Sequence, residues 1–450
     1  MPDFPPLLHM CTYDVRGTLL DTGVAKPVRE TGLVTHTHQL LHGLLTRHPR
    51  TRMTVTYTGA EVAGFDGRLR TPEGHVVELQ QVATRLPQYL NAPGAGGKCA
   101  QRVRHFYEET VEDPANPVWR ALAGQYALAI RSAAAPVVLL QNTNPIVAVL
   151  KAHQLGLVDT DVHLVGVVHD AAEAESRFCY LARRAAEGAA MRLIAVSDAI
   201  RTGLLRAGVP DSMVQTVHNG LDLSGFRERL RRARAEEAFA RVRARNGIPG
   251  DARIVLVSAR RVAWKGHEDV IDAARLLKER GLLEKVAFVF NGAGLVDSRA
   301  PHYEEDLARA ITRWGLEETV FLLDDLNPTE VASCYAAADV AVLASREPEP
   351  FGYANIEAML AGTPVITTGH GGPLEYISHR TSGLLIPPRD PAALADALKE
   401  LLHDAALHAR LSEGGQRSAE RFTLDAMVDG YEAALTVPVA SPLLEGSSTR

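Results

Sequence analysis

The sequence predicts an α/β protein of two domains, each a parallel β-sheet wrapped by helices, and three observations predict it. The chain has 450 residues, more than one hydrophobic core usually serves, so two domains of roughly 200 residues are expected. Short runs rich in Val, Ile and Leu alternate with longer amphipathic stretches. Continuous apolar runs of this kind mean strands buried on both faces. The rhythm occurs twice, before and after the turn-rich stretch Asn219-Gly220-Leu221-Asp222.

In the first half the runs are PLLHMC ending at Cys11, MTVTYT from Met53, PVVLLQN from Pro136, VHLVGVVHD from Val162 and RLIAVS from Arg192. In the second they are ARIVLVSAR from Ala252, KVAFVFNG from Lys285, VFLLDD from Val320, DVAVLAS from Asp339 and TPVITTG from Thr363. Strands alternating with helices imply right-handed βαβ units. A helix is expected over Val270–Arg280, ended by Gly281. Another is expected over Pro328–Ala338, with Asn327 as N-cap and proline at its first position. The Arg-, Glu- and Ala-rich segment Phe226–Arg245 reads as one solvated helix laced with i,i+4 ion pairs. The domains expected are residues 1–222 and 223–436, with a last helix near 424–435, and 437–450 reads as a disordered tail.

The net charge of −6 is spread along the chain, with no basic tract to hold a nucleic acid. Cys11, Cys99, Cys179 and Cys334 lie far apart with no C-x-x-C pair. That argues against a thiolate metal site or disulfide framework and suits a reducing cytoplasm. No basic segment leads into an apolar run at the N-terminus, and no stretch of about 18 apolar residues occurs, so neither signal peptide nor membrane span is expected.

Three loops carry the candidate chemistry. Glu349-Pro-Phe-Gly-Tyr-Ala-Asn-Ile-Glu357 follows the strand Asp339–Ala344 and opens a helix near Phe351. It therefore sits at the carboxyl end of a parallel strand, where α/β sheets bind ligands, with a helix N-terminus suited to phosphate. Arg260-Arg-Val-Ala-Trp-Lys265-Gly266 follows the strand Ile254–Ala259. Arginine grips phosphate through two bonds and lysine supplies a point charge. Asn291-Gly-Ala-Gly294 follows the strand Val286–Phe290, and glycine there allows close backbone approach. Each loop alone is also compatible with an ordinary surface. Together, in order along one sheet half, they describe a nucleoside-diphosphate pocket. Asn91–Lys98 is Gly-rich but lacks phosphate-loop spacing. Asp159-Thr-Asp161 looks like a D-x-D metal motif but reads better as turn residues ahead of a strand.

With these motifs in place, residues 190–435 resemble the family-4 retaining glycosyltransferases of the GT-B fold. The matching pieces are Arg260…Lys265-Gly266, Gly292–Gly294, Ala336–Val340, Glu349–Glu357, Gly362–Val365 and Gly371–Glu375. The resemblance implies two Rossmann-like domains with parallel sheets facing across a cleft. It implies that Arg260 and Lys265 bind the diphosphate. Glu349 would bond a donor-sugar hydroxyl beside backbone N–H groups of Phe351, Gly352 and Tyr353, and Glu357 would hold the ribose. Gly292 and Gly294 would line the nucleotide, and Leu323–Leu326 would meet the base, Leu326 among them. Asn219–Asp222 would mark the interdomain crossing. In the N-terminal half Gly32 stands where the family usually has a glycine pair, and His169 stands where a strand-end histidine approaches the donor sugar.

The expected activity is metal-independent, retaining hexosyl transfer from a UDP- or GDP-sugar to a soluble small acceptor, with a specialised-metabolite or thiol pathway as one setting. No cofactor is expected beyond the donor substrate, no nucleic acid or membrane partner, and a homodimer is an allowed assembly. A nucleotide-sugar epimerase on the same fold is the alternative; it would need acid–base carboxylates and histidines in the site.

Overall fold

The computed structural model describes residues 4–11, 32–59, 67–71, 74–83, 110–113, 116–158, 161–169, 175–292, 300, 302–323 and 326–437. The chain divides into two compact units, one of Met1–Gly220 with Leu424–Arg450, the other of Leu221–Thr423. The helix Leu424–Thr436 thus belongs to the first unit although it follows the second in sequence.

The first unit holds β1 (Leu7–Met10), β2 (Met53–Gly59), β3 (Gly67–Arg70), β4 (Val76–Ala83), β5 (Val137–Gln141), β6 (His163–Val168), β7 (Arg192–Ala195) and β8 (Val214–Thr216). Their order is β3-β4-β2-β1-β5-β6-β7-β8. Every neighbouring pair is parallel except β3 and β4. That hairpin departs from the purely parallel expectation. Burial alternates along β4, with Val77 and Leu79 buried between more open neighbours, so the hairpin carries no continuous apolar run; such alternation suits a sheet wetted on one face. By contrast β1 and β5 are buried along their whole length.

The second unit holds β9 (Arg253–Ser258), β10 (Val286–Asn291), β11 (Val320–Leu323), β12 (Val340–Leu343), β13 (Val365–Thr368) and β14 (Leu384–Ile386), in the order β11-β10-β9-β12-β13-β14 and all parallel. Its core joins Val255, Phe288, Val340 and Ile366 on the strands to Val270 and Leu277 on one helix and Leu394 and Leu398 on another. The short strands β8 and β14, three residues each, escape the search for apolar runs.

Helix ends follow the local chemistry. Asn327 caps Pro328–Ala337, accepting from the Thr329 and Glu330 N–H groups while Glu330 reaches back to the Asn327 N–H. Gly281, at φ 69°, follows His267–Glu279. The segment expected as one solvated helix is two, Leu223–Ala235 and Ala238–Asn246, broken where Glu237 takes φ 47°. Each buries a stripe, Phe226, Leu230 and Ala233 on the first and Ala238, Phe239 and Val242 on the second. The density of Arg and Glu hid those stripes; the ion pairs are real but lie on the outer face, as between Arg232 and Glu236 at 2.6 Å.

One buried charge strains the first unit. Lys151, on the helix Thr143–Gln154, is fully buried, and among the described residues its Nζ has no hydrogen-bond partner. It lies 5.4 Å from the Trp119 ring centre and 5.0 Å from that of Tyr180. The aromatic faces offset only part of the cost of desolvating an ammonium. Burial accordingly lowers its pKa to about 8. A folded pKa below the unfolded value means the penalty is complete below pH 8 and disappears as pH rises toward the unfolded value. Lys151→Met should therefore stabilise the protein near pH 7 by roughly 3 kcal/mol. The gap to wild type should close toward pH 10, as measured by urea unfolding across that range; equal stabilities at pH 7 would show that the lysine costs nothing.

Candidate functional site

The second sheet places its chemistry by topology. From β9 the chain moves outward to β10 and β11, then returns to lay β12 on the other side of β9. The loops leaving β9 and β12 therefore part at their carboxyl ends, and this switch point opens a crevice. The loops carrying Lys265 and Glu349 flank it.

After β9 the backbone turns once, at Ala263–Lys265, and reaches Gly266 at φ 71°. A Cβ there would run into the Ala344 carbonyl oxygen, so the loop after β9 rests directly on the end of β12. Charge fastens the same seam. Arg346 forks onto Asp269 at 2.8 and 2.7 Å and also reaches Glu268, both in the first turn of His267–Glu279. Its backbone N–H donates to the Trp264 carbonyl at 2.7 Å.

Held this way, Lys265 Nζ donates to Glu349 Oε2 at 2.6 Å, and Ser345 Oγ donates to the same oxygen at 2.8 Å. The side chains of Lys265 and Glu349 are 11% and 7% exposed, which makes this an ion pair largely removed from water. Burial pushes the lysine below its ordinary pKa; Glu349 opposes that shift and Arg260 adds to it. Arg260, half-buried, therefore brings a second positive charge to bear on the pair. Its neighbour Arg261 is turned inward, paired with Glu304 and donating to the Leu323 carbonyl at 2.9 Å.

The backbone of Glu349 is fixed from the far side. It bridges Gly371, and Gly372 donates its N–H to the Glu349 carbonyl at 2.8 Å. The His370 ring bonds the Ser345 carbonyl at 2.9 Å. Beyond it Gly352, at φ 90°, caps the helix Tyr353–Ala361 without a side chain. The helix begins two residues later than expected. Phe351 and Tyr353 are buried, Phe351 stacking edgewise or tilted on Tyr353, Tyr376 and Phe422 at 5.3 to 5.8 Å. Tyr376 donates to the Phe351 carbonyl at 2.7 Å. These residues can thus offer a ligand their backbone rather than their rings, and a helix start without a side-chain cap suits an anion.

Glu357 is half-buried on that helix and accepts from the Tyr335 hydroxyl at 2.8 Å, which also lies 2.8 Å from Ser258 Oγ at the end of β9. Gly292 follows β10 at φ 145°; a Cβ there would meet the Ala259 carbonyl. One close approach that demands glycine at 292 is thus to the neighbouring loop. Leu326 is half-buried beyond β11, and Gly294 lies outside the described residues.

The structure brings Lys265, Glu349 and the charge of Arg260 together, with Glu357 tied to the end of β9. In the first unit, Gly32 opens the helix Gly32–Arg47. His169 follows β6, and its Nε2 lies 3.0 Å from Gln141 Oε1. Burial lowers the His169 pKa to about 3, so the ring is neutral. Asp161 sits in an exposed turn ahead of β6; Asp159 lies outside the described residues, as does Asn91–Lys98. Sequence reasoning missed Ser345 and Arg346, although this polar pair at a strand end directly before Glu-Pro-Glu-Pro-Phe-Gly was visible. It also missed Tyr335, which in sequence is one more core aromatic.

Residues 239–418 match the family Glycosyl transferases group 1. A D-inositol 3-phosphate glycosyltransferase of Streptomyces bingchenggensis is 34% identical over 259 residues, covering 55% of this chain and 54% of that one. D-inositol 3-phosphate glycosyltransferase 1 of Catenulispora acidiphila is 30% identical over 295 residues, covering 65% and 66%. The chain thus spans about half the length of most of the curated relatives it matches. Among solved structures, Anabaena HepE in complex with UDP-glucose aligns at a TM-score of 0.66 and 20% identity, over 96% of this chain and 100% of that one. An α,α-trehalose-phosphate synthase (UDP-forming) from Burkholderia vietnamiensis aligns at 0.73 and 13%, over 98% and 99%. At such identities the likeness shows the fold.

If Lys265 and Glu349 form a true buried pair, removing one partner strands the other charge. Lys265→Met alone should cost about 3–5 kcal/mol, and adding Glu349→Gln should restore most of it. Urea unfolding of both single variants and the double variant checks this; purely additive losses would mean the two groups are not coupled.

Proposed function

Since residues 239–418 belong to the glycosyl transferases group 1 family and the chain has the GT-B fold, we propose that this protein is a family-4 retaining glycosyltransferase. Its donor would be a nucleoside-diphosphate sugar, UDP or GDP, and its acceptor a soluble phosphorylated polyol or sugar phosphate. The observation that carries the reading is the Lys265–Glu349 pair at the switch point, with the charge of Arg260 beside it. The acceptor class follows the matched relatives, which are named for inositol phosphate and for sugar-phosphate products. Those relatives transfer sugars, so the epimerase alternative is not carried forward.

The chemistry follows from the charges. As the bond from anomeric carbon to phosphate breaks, negative charge grows on the leaving diphosphate, and preorganised cations in a water-poor site lower the barrier most. Lys265 and Arg260 would supply them, with the N–H groups around Gly352 completing the cradle. Glu349, held by Lys265 and Ser345, would accept from a sugar hydroxyl, and Glu357 from the ribose. The neutral His169 would orient a further hydroxyl. In the family this chain resembles no side chain serves as base toward the acceptor, and on that reading the departing phosphate would take the proton. Attack then comes from the face the phosphate leaves, with retention through an oxocarbenium-like state.

Incubation of the purified chain with UDP- and GDP-sugars and a panel of inositol and sugar phosphates, followed by nucleoside diphosphate release, tests the activity. Proton NMR of the anomeric coupling tests the stereochemistry: an α-linked donor should give an α-linked product, and a β-linked product would overturn the mechanism. Lys265→Ala should lower the rate by about 10²–10³ in protein shown by thermal denaturation to be folded, and unchanged turnover would remove Lys265 from the mechanism. Turnover should survive chelation of divalent metal, because Lys265 and Arg260 would already neutralise the diphosphate; loss on chelation and recovery with magnesium would reverse that assignment.

A further inference from the structure

The carboxyl ends of β1, β5 and β6, neighbours at the switch point of the first sheet, bring three polar side chains into a row. His9 lies on β1, Gln141 ends β5, and His169 follows β6. The Gln141 amide bridges two imidazoles. Its Nε2 lies 3.0 Å from His9 Nε2 and its Oε1 lies 3.0 Å from His169 Nε2. His9 and Gln141 are fully buried and His169 half-buried.

Burial lowers the pKa of His9 to about 4 and that of His169 to about 3. Each ring is therefore neutral, with one N–H and one lone pair. An amide oxygen only accepts, so His169 carries its proton on Nε2 and keeps the lone pair on Nδ1. An amide nitrogen only donates, so His9 accepts at Nε2. His36 lies edge-on to His169 at 4.6 Å, and the Tyr431 hydroxyl is 3.1 Å from His36 Nε2.

Gln141 is itself held. The next residue, Asn142, takes φ 77°, which a side chain other than glycine rarely adopts. Its N–H donates to the Val167 carbonyl at 3.0 Å and its side chain accepts from the Thr143 N–H at 2.7 Å. Bonds on both sides hold this uncommon backbone conformation in place.

We propose that Gln141 is a positioning residue that locks His169 as the Nε2–H tautomer, so that its Nδ1 accepts a hydrogen bond from a hydroxyl of the donor sugar. This rests on the reading of His169 as the sugar-facing histidine. His9 completes the device by holding the amide's orientation.

The test is two-bond ¹H–¹⁵N correlation NMR of the full chain labelled at histidine, with His169→Asn to assign the ring. Wild type should show His169 protonated at Nε2. Gln141→Leu, which removes the acceptor, should release the ring to mixed tautomers. Gln141→Glu keeps an acceptor and should preserve the wild-type pattern. In nucleotide-sugar turnover Gln141→Leu should lower kcat/KM for the donor about tenfold while KM for the acceptor stays put, and Gln141→Glu should recover most of the loss. A wild-type ring protonated at Nδ1 overturns the proposal, as does a Gln141→Leu variant with unchanged tautomer and turnover. Wild-type turnover in His169→Ala overturns the sugar-facing reading and this proposal with it, and the tautomer pattern distinguishes that failure from one at Gln141.

Discussion

Opposite charges withdrawn from water hold the centre of the second unit. Lys265 and Glu349 come from loops 84 residues apart, and burial of either charge without its partner would carry a large desolvation cost. Their meeting depends on the strand order, which sets β9 beside β12. It also depends on Arg346, whose fork onto Asp269 ties the loop after β12 to the helix after β9. A pair of this kind costs desolvation whether or not a ligand is present, so its burial is weak evidence of added stability.

The same need for close approach explains the glycines. Gly266 lies against the Ala344 carbonyl and Gly292 against that of Ala259. At both places loops from adjacent strands come together with no room for a Cβ. This sheet end brings backbone and cations close together, while the aromatic residues of the Phe351 region turn inward to a cluster with Tyr376 and Phe422.

The first unit solves a different problem. Its switch point is lined by histidines that burial keeps neutral, His9, His36 and His169. Neutral imidazoles specify hydrogen-bond direction, whereas Lys265 and Arg260 of the second unit concentrate positive charge. The two sheets thus offer complementary chemistry, one of direction and one of charge.

By itself the sequence determined the alternation of strands and helices, the two-unit organisation and the loops at strand ends that carry Arg260, Lys265, Glu349 and Glu357. Those features are local: apolar runs, turn residues and short motifs lie within a few positions of one another. Only the tertiary structure decided which of these residues touch, since a contact between positions 265 and 349 is set by strand order rather than by spacing. It also showed that Gly292 answers to Ala259, that Arg261 points inward beside Arg260, and that Glu357 is held by Tyr335. The break at Glu237 and the hairpin of β3 and β4 were hidden for a related reason. Charge density masked one buried stripe and half-polar alternation masked the other, and both become legible only once each face has something to pack against.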